Sequence, residues 1–102
     1  MLMLTDRHAA LHRLGRALAD PSRCNILVAL LDGPAYPGEL AEALGLRRSN
    51  MSNHLACLRG CGLVTASAEG RQVRYELADV GLAHAIRELL DVVVAVRCED
   101  CD

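Results

Sequence analysis

The chain has 102 residues, enough for one domain and not two, and carries a formal net charge of −2. Hydrophobic residues make up 52% but aromatics only 2%, with no Phe or Trp, so the core is drawn from Leu, Val, Ala and Ile and suits packed helices. Asp6 and Arg7 come early with no apolar stretch behind them, and the longest apolar run, Val92–Val96, is far too short to span a bilayer. The expectation is a cytoplasmic protein with no membrane partner. A chain this small buries only roughly 60–65% of its unfolded surface, so a dimer interface would add to its stability.

Taken in order, Thr5 or Asp6 can cap a first helix running to about Leu18, with Leu11, Leu14 and Leu18 on one side. His8 and His12 lie one turn apart and read as solvated imidazoles rather than a metal pair. Asp20-Pro21 is a helix start, an N-cap followed by Pro at the first helical position. The second helix carries Cys24, Leu27, Val28 and Leu31 at helical spacing, with Ile26 and Leu30 adjacent. Apolar around much of its circumference, it should be central, with Cys24 a small buried core residue. Asp32-Gly33-Pro34 ends it.

Pro37 opens a short third helix, Gly38 to Leu44, expected to bury Leu40, Ala43 and Leu44 and stopped by Gly45-Leu46. Ser49 to Gly62 reads as the next helix, capped at Ser49. Its Met51, Leu55 and Leu58 recur at i, i+4, i+7 as a core stripe. Asn50, His54, Cys57 and Cys61 recur on another face. Ser49, Asn50, Ser52, Asn53 and His54 are side chains that hydrogen-bond base edges, and Arg47 and Arg48 suit phosphates. A short helix, a Gly turn and a polar, cationic second helix form a helix-turn-helix pattern.

Next, Leu63–Ser67 and Gln72–Leu77 flank Ala68-Glu69-Gly70-Arg71. Val73, Tyr75 and Leu77 alternate with Gln72, Arg74 and Glu76, so the pair reads as a β-hairpin, a wing with Arg71, Gln72 and Arg74 near its tip. The charge pattern agrees. From Arg47 to Tyr75 five arginines (47, 48, 59, 71, 74) face Glu69 alone, while the rest of the chain holds six arginines and twelve acids.

Asp79 caps the last helix, where Leu82, Ile86, Leu89, Val93 and Val96 form a long apolar stripe. That stripe, with Leu11 and Leu14 of the first helix, is assigned to a two-fold partner. The fold class is therefore mainly α with a small β-hairpin: a winged helix-turn-helix homodimer over residues 1–97, followed by a cysteine-containing tail, 98–102.

Five cysteines in such a chain point to metal or redox chemistry more than to disulfides. Cys57 and Cys61, about one helical turn apart, give a bidentate thiolate bite that selects soft ions. Two helical thiolates leave cadmium or lead under-coordinated. With Cys24 read as buried, Cys98 and Cys101 are the candidates to complete the site, and Cys101 has the longer reach.

The order helix, Asp-Pro-Ser-Arg helix, helix-turn-helix, winged hairpin, dimer helix resembles the ArsR/SmtB family of metal-responsive repressors along nearly the whole chain. The residues that carry it are Leu18 to Leu27, Ser52-Asn53-His54-Leu55, Gly62-Leu63-Val64 and Gly70 to Tyr75. Cys57 and Cys61, with cysteine in the tail, are similar to the CmtR-type cadmium/lead sensors within it. The resemblance implies a dimer that blocks a promoter until metal binds, typically ahead of genes for metal efflux, with two symmetric inter-subunit sites. Departures are visible. The third helix, Gly38 to Leu44, lacks the thiols many relatives carry there, and His84 has no second histidine downstream for the zinc site of others.

The leading expectation is thus a repressor that binds double-stranded operator DNA and is released by Cd(II) or Pb(II), or by Zn(II) or arsenite in a sensor of the same fold. A thiol redox switch is the alternative. An enzyme is disfavoured, because Cys98 and Cys101 lack a βαβ context and no catalytic triad or carboxylate pair is evident. A structural zinc module is disfavoured by helices with adequate apolar faces of their own.

Overall fold

The computed structural model describes residues 4–95. Its elements are α1 (Leu4–Ala19), α2 (Pro21–Ala29) with a 3-10 turn (Leu30–Asp32), α3 (Pro37–Leu44), α4 (Arg48–Gly60), β1 (Val64–Glu69), β2 (Gln72–Leu77) and α5 (Val80–Ala95). The expected architecture, mainly helical with one antiparallel hairpin, is the one observed.

The core forms where apolar periods of separate helices meet. Met51, Leu55 and Leu58 of α4 are buried against Ile26, Leu27 and Leu30 of the central segment. Leu40, Leu63, Val64 and Ile86 close the cluster. Asp20 caps α2 as its sequence signals, its carboxylate accepting the Arg23 N–H at 3.3 Å with Pro21 at the start. Asp79 does the same for α5, accepting the Gly81 N–H at 3.0 Å. Arg87 then donates to the Leu31 carbonyl at 2.8 Å and ties α5 to the end of the central segment.

The two helices of the helix-turn-helix end alike. At α3, Leu46 N–H bonds to Ala41 C=O at 2.9 Å around Gly45, whose φ is +67°. At α4, Leu63 N–H bonds to Leu58 C=O at 3.0 Å around Gly62, at φ +78°. In each a left-handed glycine turns the chain and the leucine after it packs back on the core, the Schellman arrangement. The hairpin pairs Val64 with Leu77 through to Glu69 with Gln72. Gly70, at φ +61°, takes the first position of the two-residue Gly70-Arg71 turn. A bridge between Ala35 and Tyr75 (N–H to O at 2.9 and 2.8 Å) anchors the wing to the segment ahead of α3.

Five expectations need correction. Thr5 and Asp6 lie inside α1, which begins at Leu4, so neither is its cap. Ala41, not Ala43, is buried on α3, because the 3.6-residue period puts 37, 40, 41 and 44 on one face. The cap of α4 is Arg47, with extended backbone (φ −70°, ψ 148°), since the Gly45 turn already delivers the chain in that geometry; Ser49 sits inside the first turn. The first wing strand runs on to Glu69, leaving a turn two residues shorter than expected, while the second spans Gln72–Leu77 as read. Cys24 is half-buried and lines an apolar hollow of about 240 Å³ with Leu18, Val28, Ile86, Leu89 and Leu90.

The stripe on α5 divides. Ile86, at 2% exposure, belongs to the chain's own core, and Leu14 and Leu82 pack half-buried against it. Leu89 is 44% exposed and Leu11 64%. Leu90 and Val92 are exposed as well. The Val93 side chain, Val96 and the tail with Cys98 and Cys101 lie outside the described residues. No described helix is long and apolar enough to cross a membrane.

Candidate functional site

α4 has three faces, and its burial pattern separates them. Met51, Leu55 and Leu58 fix one face to the core. The opposite side of its first two turns is solvent-facing: Arg48, Ser49, Asn50, Ser52 and Asn53, with Arg47 just ahead, are all exposed. Arg71 and Gln72 at the wing tip are exposed as well. Between helix and wing runs a groove of about 350 Å³, lined by Gly38, Arg48, Ser52, Arg71, Gln72 and Tyr75 among others.

Two side chains expected to face DNA are drawn elsewhere. His54 is half-buried, its side chain 20% exposed. Its Nδ1 accepts the Arg23 Nε–H at 3.3 Å and lies 3.5 Å from Asp20 Oδ2, so the ring joins α4 to the start of α2. Arg74 is held between two carboxylates, its Nε 3.5 Å from Glu69 and its Nη2 4.0 Å from Glu76. All three project from one face of the hairpin, and Glu69 is the diagonal cross-strand neighbour of Arg74. Arg71, on the turn itself, escapes this pairing and remains the exposed cation of the wing.

Residues that sequence reasoning missed hold this geometry. The Tyr36 hydroxyl donates to Glu69 Oε1 at 2.5 Å and straps the wing to the segment before α3. That hydrogen bond, with burial and the Glu69 charge, raises the phenol's pKa above its ordinary value of 10.0. The Tyr36 N–H donates to Glu39 at 3.0 Å across the first turn of α3. Only the last contact has a local sequence signal, an acid three residues after a helix start. Tyr36 and Glu69 are separated by 33 residues and Arg23 and His54 by 31, beyond any local pattern.

Cys57 and Cys61 lie at the other end of α4, both free thiols and both half-buried. Cys61 is the C-cap, its N–H bonded to the Cys57 carbonyl at 3.0 Å, so the two sit on the last closed turn. Nothing lies within 4 Å of where a side chain on Gly60 would project, leaving open space beside them. Among the described residues no group of three or more His, Cys, Asp or Glu is assembled for a metal ion. The pair fits a soft ion as part of a donor set, with thiolate sulfur as the ligand type and room for more.

A solvent-facing polar helix, preceded by a glycine turn and followed by a hairpin with an exposed arginine at its tip, defines a winged helix-turn-helix DNA-binding domain. Residues 20–66 match the family described as bacterial regulatory protein, arsR family. The HTH-type transcriptional regulator CmtR of Mycobacterium tuberculosis is 70% identical over 96 residues, covering 94% of this chain and 81% of that protein. The chain belongs to the ArsR family. The NMR structure of the cadmium metal-sensor CmtR from M. tuberculosis superimposes with a TM-score of 0.71 at 68% identity, covering 89% of this chain and 95% of that one. The homodimeric winged helix-turn-helix domain of Mb0332 from Mycobacterium bovis does so at 0.76 and 33% identity, over 92% and 90%.

Proposed function

We propose that this chain is a cytoplasmic, metal-responsive transcriptional repressor that binds operator DNA as a homodimer and is released by a soft metal ion, Cd(II) or Pb(II). One observation carries the reading: a single helix, α4, presents an exposed DNA-reading face on its first two turns and two free thiols on its last. The similarity to a cadmium sensor supports the choice of metal. The exposed apolar side chains Leu11, Leu89, Leu90 and Val92 support the dimer.

In this reading Ser49, Asn50, Ser52 and Asn53 enter the major groove and read base edges, while Arg47, Arg48 and Arg71 meet phosphates. Two recognition helices about 34 Å apart in a dimer reach successive major grooves on one side of the duplex. Cys57 and Cys61 supply two thiolates, and the tail completes the set through Cys101, with Cys98 as the alternative donor. Cadmium or lead, when bound, would supply a soft Lewis acid that these thiolates hold, favouring one geometry at the end of α4. The chain's part is to translate that geometry into a poorer match with operator DNA. By linkage, DNA then lowers metal affinity by the same factor.

The test is DNA binding by the reduced protein without metal, titrated anaerobically with Cd(II), Pb(II), Zn(II) and arsenite. Release by Cd(II) or Pb(II), abolished in Cys57→Ser together with thiolate charge-transfer absorbance, is the expected result. A protein that ignores all four and leaves DNA only on oxidation is a thiol redox switch instead. Cutting the chain after Arg97 should remove roughly one thiolate per metal and weaken cadmium binding while DNA affinity is kept; normal sensing by that truncation eliminates Cys98 and Cys101.

A further inference from the structure

The groove between α4 and the wing has a feature that the repressor reading does not explain. Gly38, in the first turn of α3, has no left-handed backbone to justify a glycine. Helical glycine is worse than alanine by roughly 0.5–1 kcal/mol. What it provides is clearance. A Cβ built there lies 2.7 Å from Arg48 Nη2 and 3.5 Å from Cζ, so the guanidinium rests on the bare backbone of α3. One side of Arg48 is thereby occupied, and Arg48 lines the groove.

The remainder of the groove has matching chemistry. Arg71 comes from the opposite wall, and Ser52 and Gln72 add neutral donors. No carboxylate is among its described lining residues. The nearby acids of the wing are engaged: Glu69 by Tyr36 and Arg74, and Glu76 by Arg74. Two guanidinium groups on facing walls, with donors between them and the acids neutralised behind, suit a phosphodiester.

We propose that this groove seats a backbone phosphate of the DNA duplex between α4 and the wing, and that Gly38 is a positioning residue that holds Arg48 in place for it. The proposal rests on the DNA-binding reading and deepens it. Preorganisation is the physical gain. A long side chain already laid against α3 loses less freedom when the phosphate arrives. The interaction is with the backbone, so it adds affinity to every sequence alike and fixes how deeply the wing and helix sit on the duplex.

Four full-length, reduced proteins test this: wild type, Gly38→Ala, Arg48→Ala and the double variant. Each is titrated with a generic duplex over a range of salt, and its thermal midpoint is recorded. Gly38→Ala should keep or raise the midpoint, because only the far end of a flexible side chain must move, yet bind DNA on the order of fivefold to tenfold more weakly. Its log–log salt slope should fall by roughly 0.9 for each phosphate that is no longer neutralised. The double variant should bind no worse than Arg48→Ala, since both changes act through one guanidinium. A Gly38→Ala protein with wild-type affinity and slope, additive weakening in the double variant, or a lowered midpoint overturns the positioning role. Silence of Arg48→Ala in a wild type that does bind removes the seat and leaves the repressor reading standing. A wild type that binds no duplex at low salt removes both.

Discussion

His54 offers the sharpest contrast between a base-reading residue and a structural one. Its position two turns into α4, beside Asn53, suits DNA contact, but its ring is drawn to α2. His54→Ala removes the Arg23 Nε–H to Nδ1 bond at 3.3 Å and part of a ring whose side chain is only 20% exposed. A hydrogen bond from a charged donor contributes about 1.5 kcal/mol at most at so long a distance, and the forfeited burial adds up to about 1 kcal/mol. Arg23 keeps Asp20 as a partner at 3.4 Å, so it is not stranded. The expected cost is about 1–2 kcal/mol, roughly 4–16 °C in Tm for a chain of this size at fixed protomer concentration. The companion assay is the ratio of affinities for operator and for a scrambled duplex of equal length. A base-reading side chain would carry about 1–3 kcal/mol of that discrimination. The ratio should stay within about twofold of wild type. An unchanged Tm with a collapsed ratio would refute the assignment and return His54 to the major groove.

Three other outcomes follow from the same geometry. Arg71→Ala should flatten the salt dependence of DNA binding, whereas Arg74→Ala, which removes a cation already shared by Glu69 and Glu76, should leave the slope near wild type; equal slopes in the two variants would contradict the division of the wing. Tyr36 should ionise above its ordinary value of 10.0, followed by phenolate absorbance, and Glu69→Gln should return it toward that value. Because the folded pKa is raised, the strap contributes fully below the unfolded pKa and is lost as pH rises through the folded one, so loosening of the wing at neutral pH would be the wrong sign. Leu89→Glu should place a charge on the exposed apolar part of α5 and convert the proposed dimer to monomer in sedimentation; an unchanged dimer removes Leu89 from the interface.

What is readable in the sequence follows the range of the interactions involved. The core face of α4 is legible because Met51, Leu55 and Leu58 obey one period, and its end is legible because Gly62-Leu63 is a local stop signal. Its start is misplaced because Ser49 is a good cap in isolation, while the Gly45 turn makes a side-chain cap at Arg47 unnecessary. The α5 stripe reads as one interface because periodicity reports which residues are apolar, not what covers them; Ile86 goes to the core and Leu89 to the surface. Alternation along β2 places Arg74 on the polar face correctly, yet cannot show that Glu69 and Glu76 share that face and claim it. The His54 contacts are illegible for the same reason at longer range, its partners lying at the start of a helix that meets α4 only once the chain has folded.

These long-range links bear on how one helix would serve both of the ligands proposed for it. The middle of α4 is held to the start of α2 through His54, Arg23 and Asp20. Its end is continuous with the wing: Gly62 turns the chain, Leu63 N–H returns to Leu58, and Leu63 C=O accepts Ala78 N–H at 3.0 Å just beyond β2. Cys57 and Cys61 stand between these two attachments, on the last closed turn. Whatever fixes their thiolates acts on the stretch through which the recognition helix is joined to its wing. A small rotation there would change the angle between the two DNA-facing elements, while the packing of Leu55 and the His54 anchor would hold the middle of the helix in place. A repressor that closes on DNA through both elements together gives up its hold on phosphates and bases at once when that angle shifts. On this reading the effector site needs no contact with the DNA surface; it needs only a donor pair on the turn that sets the angle.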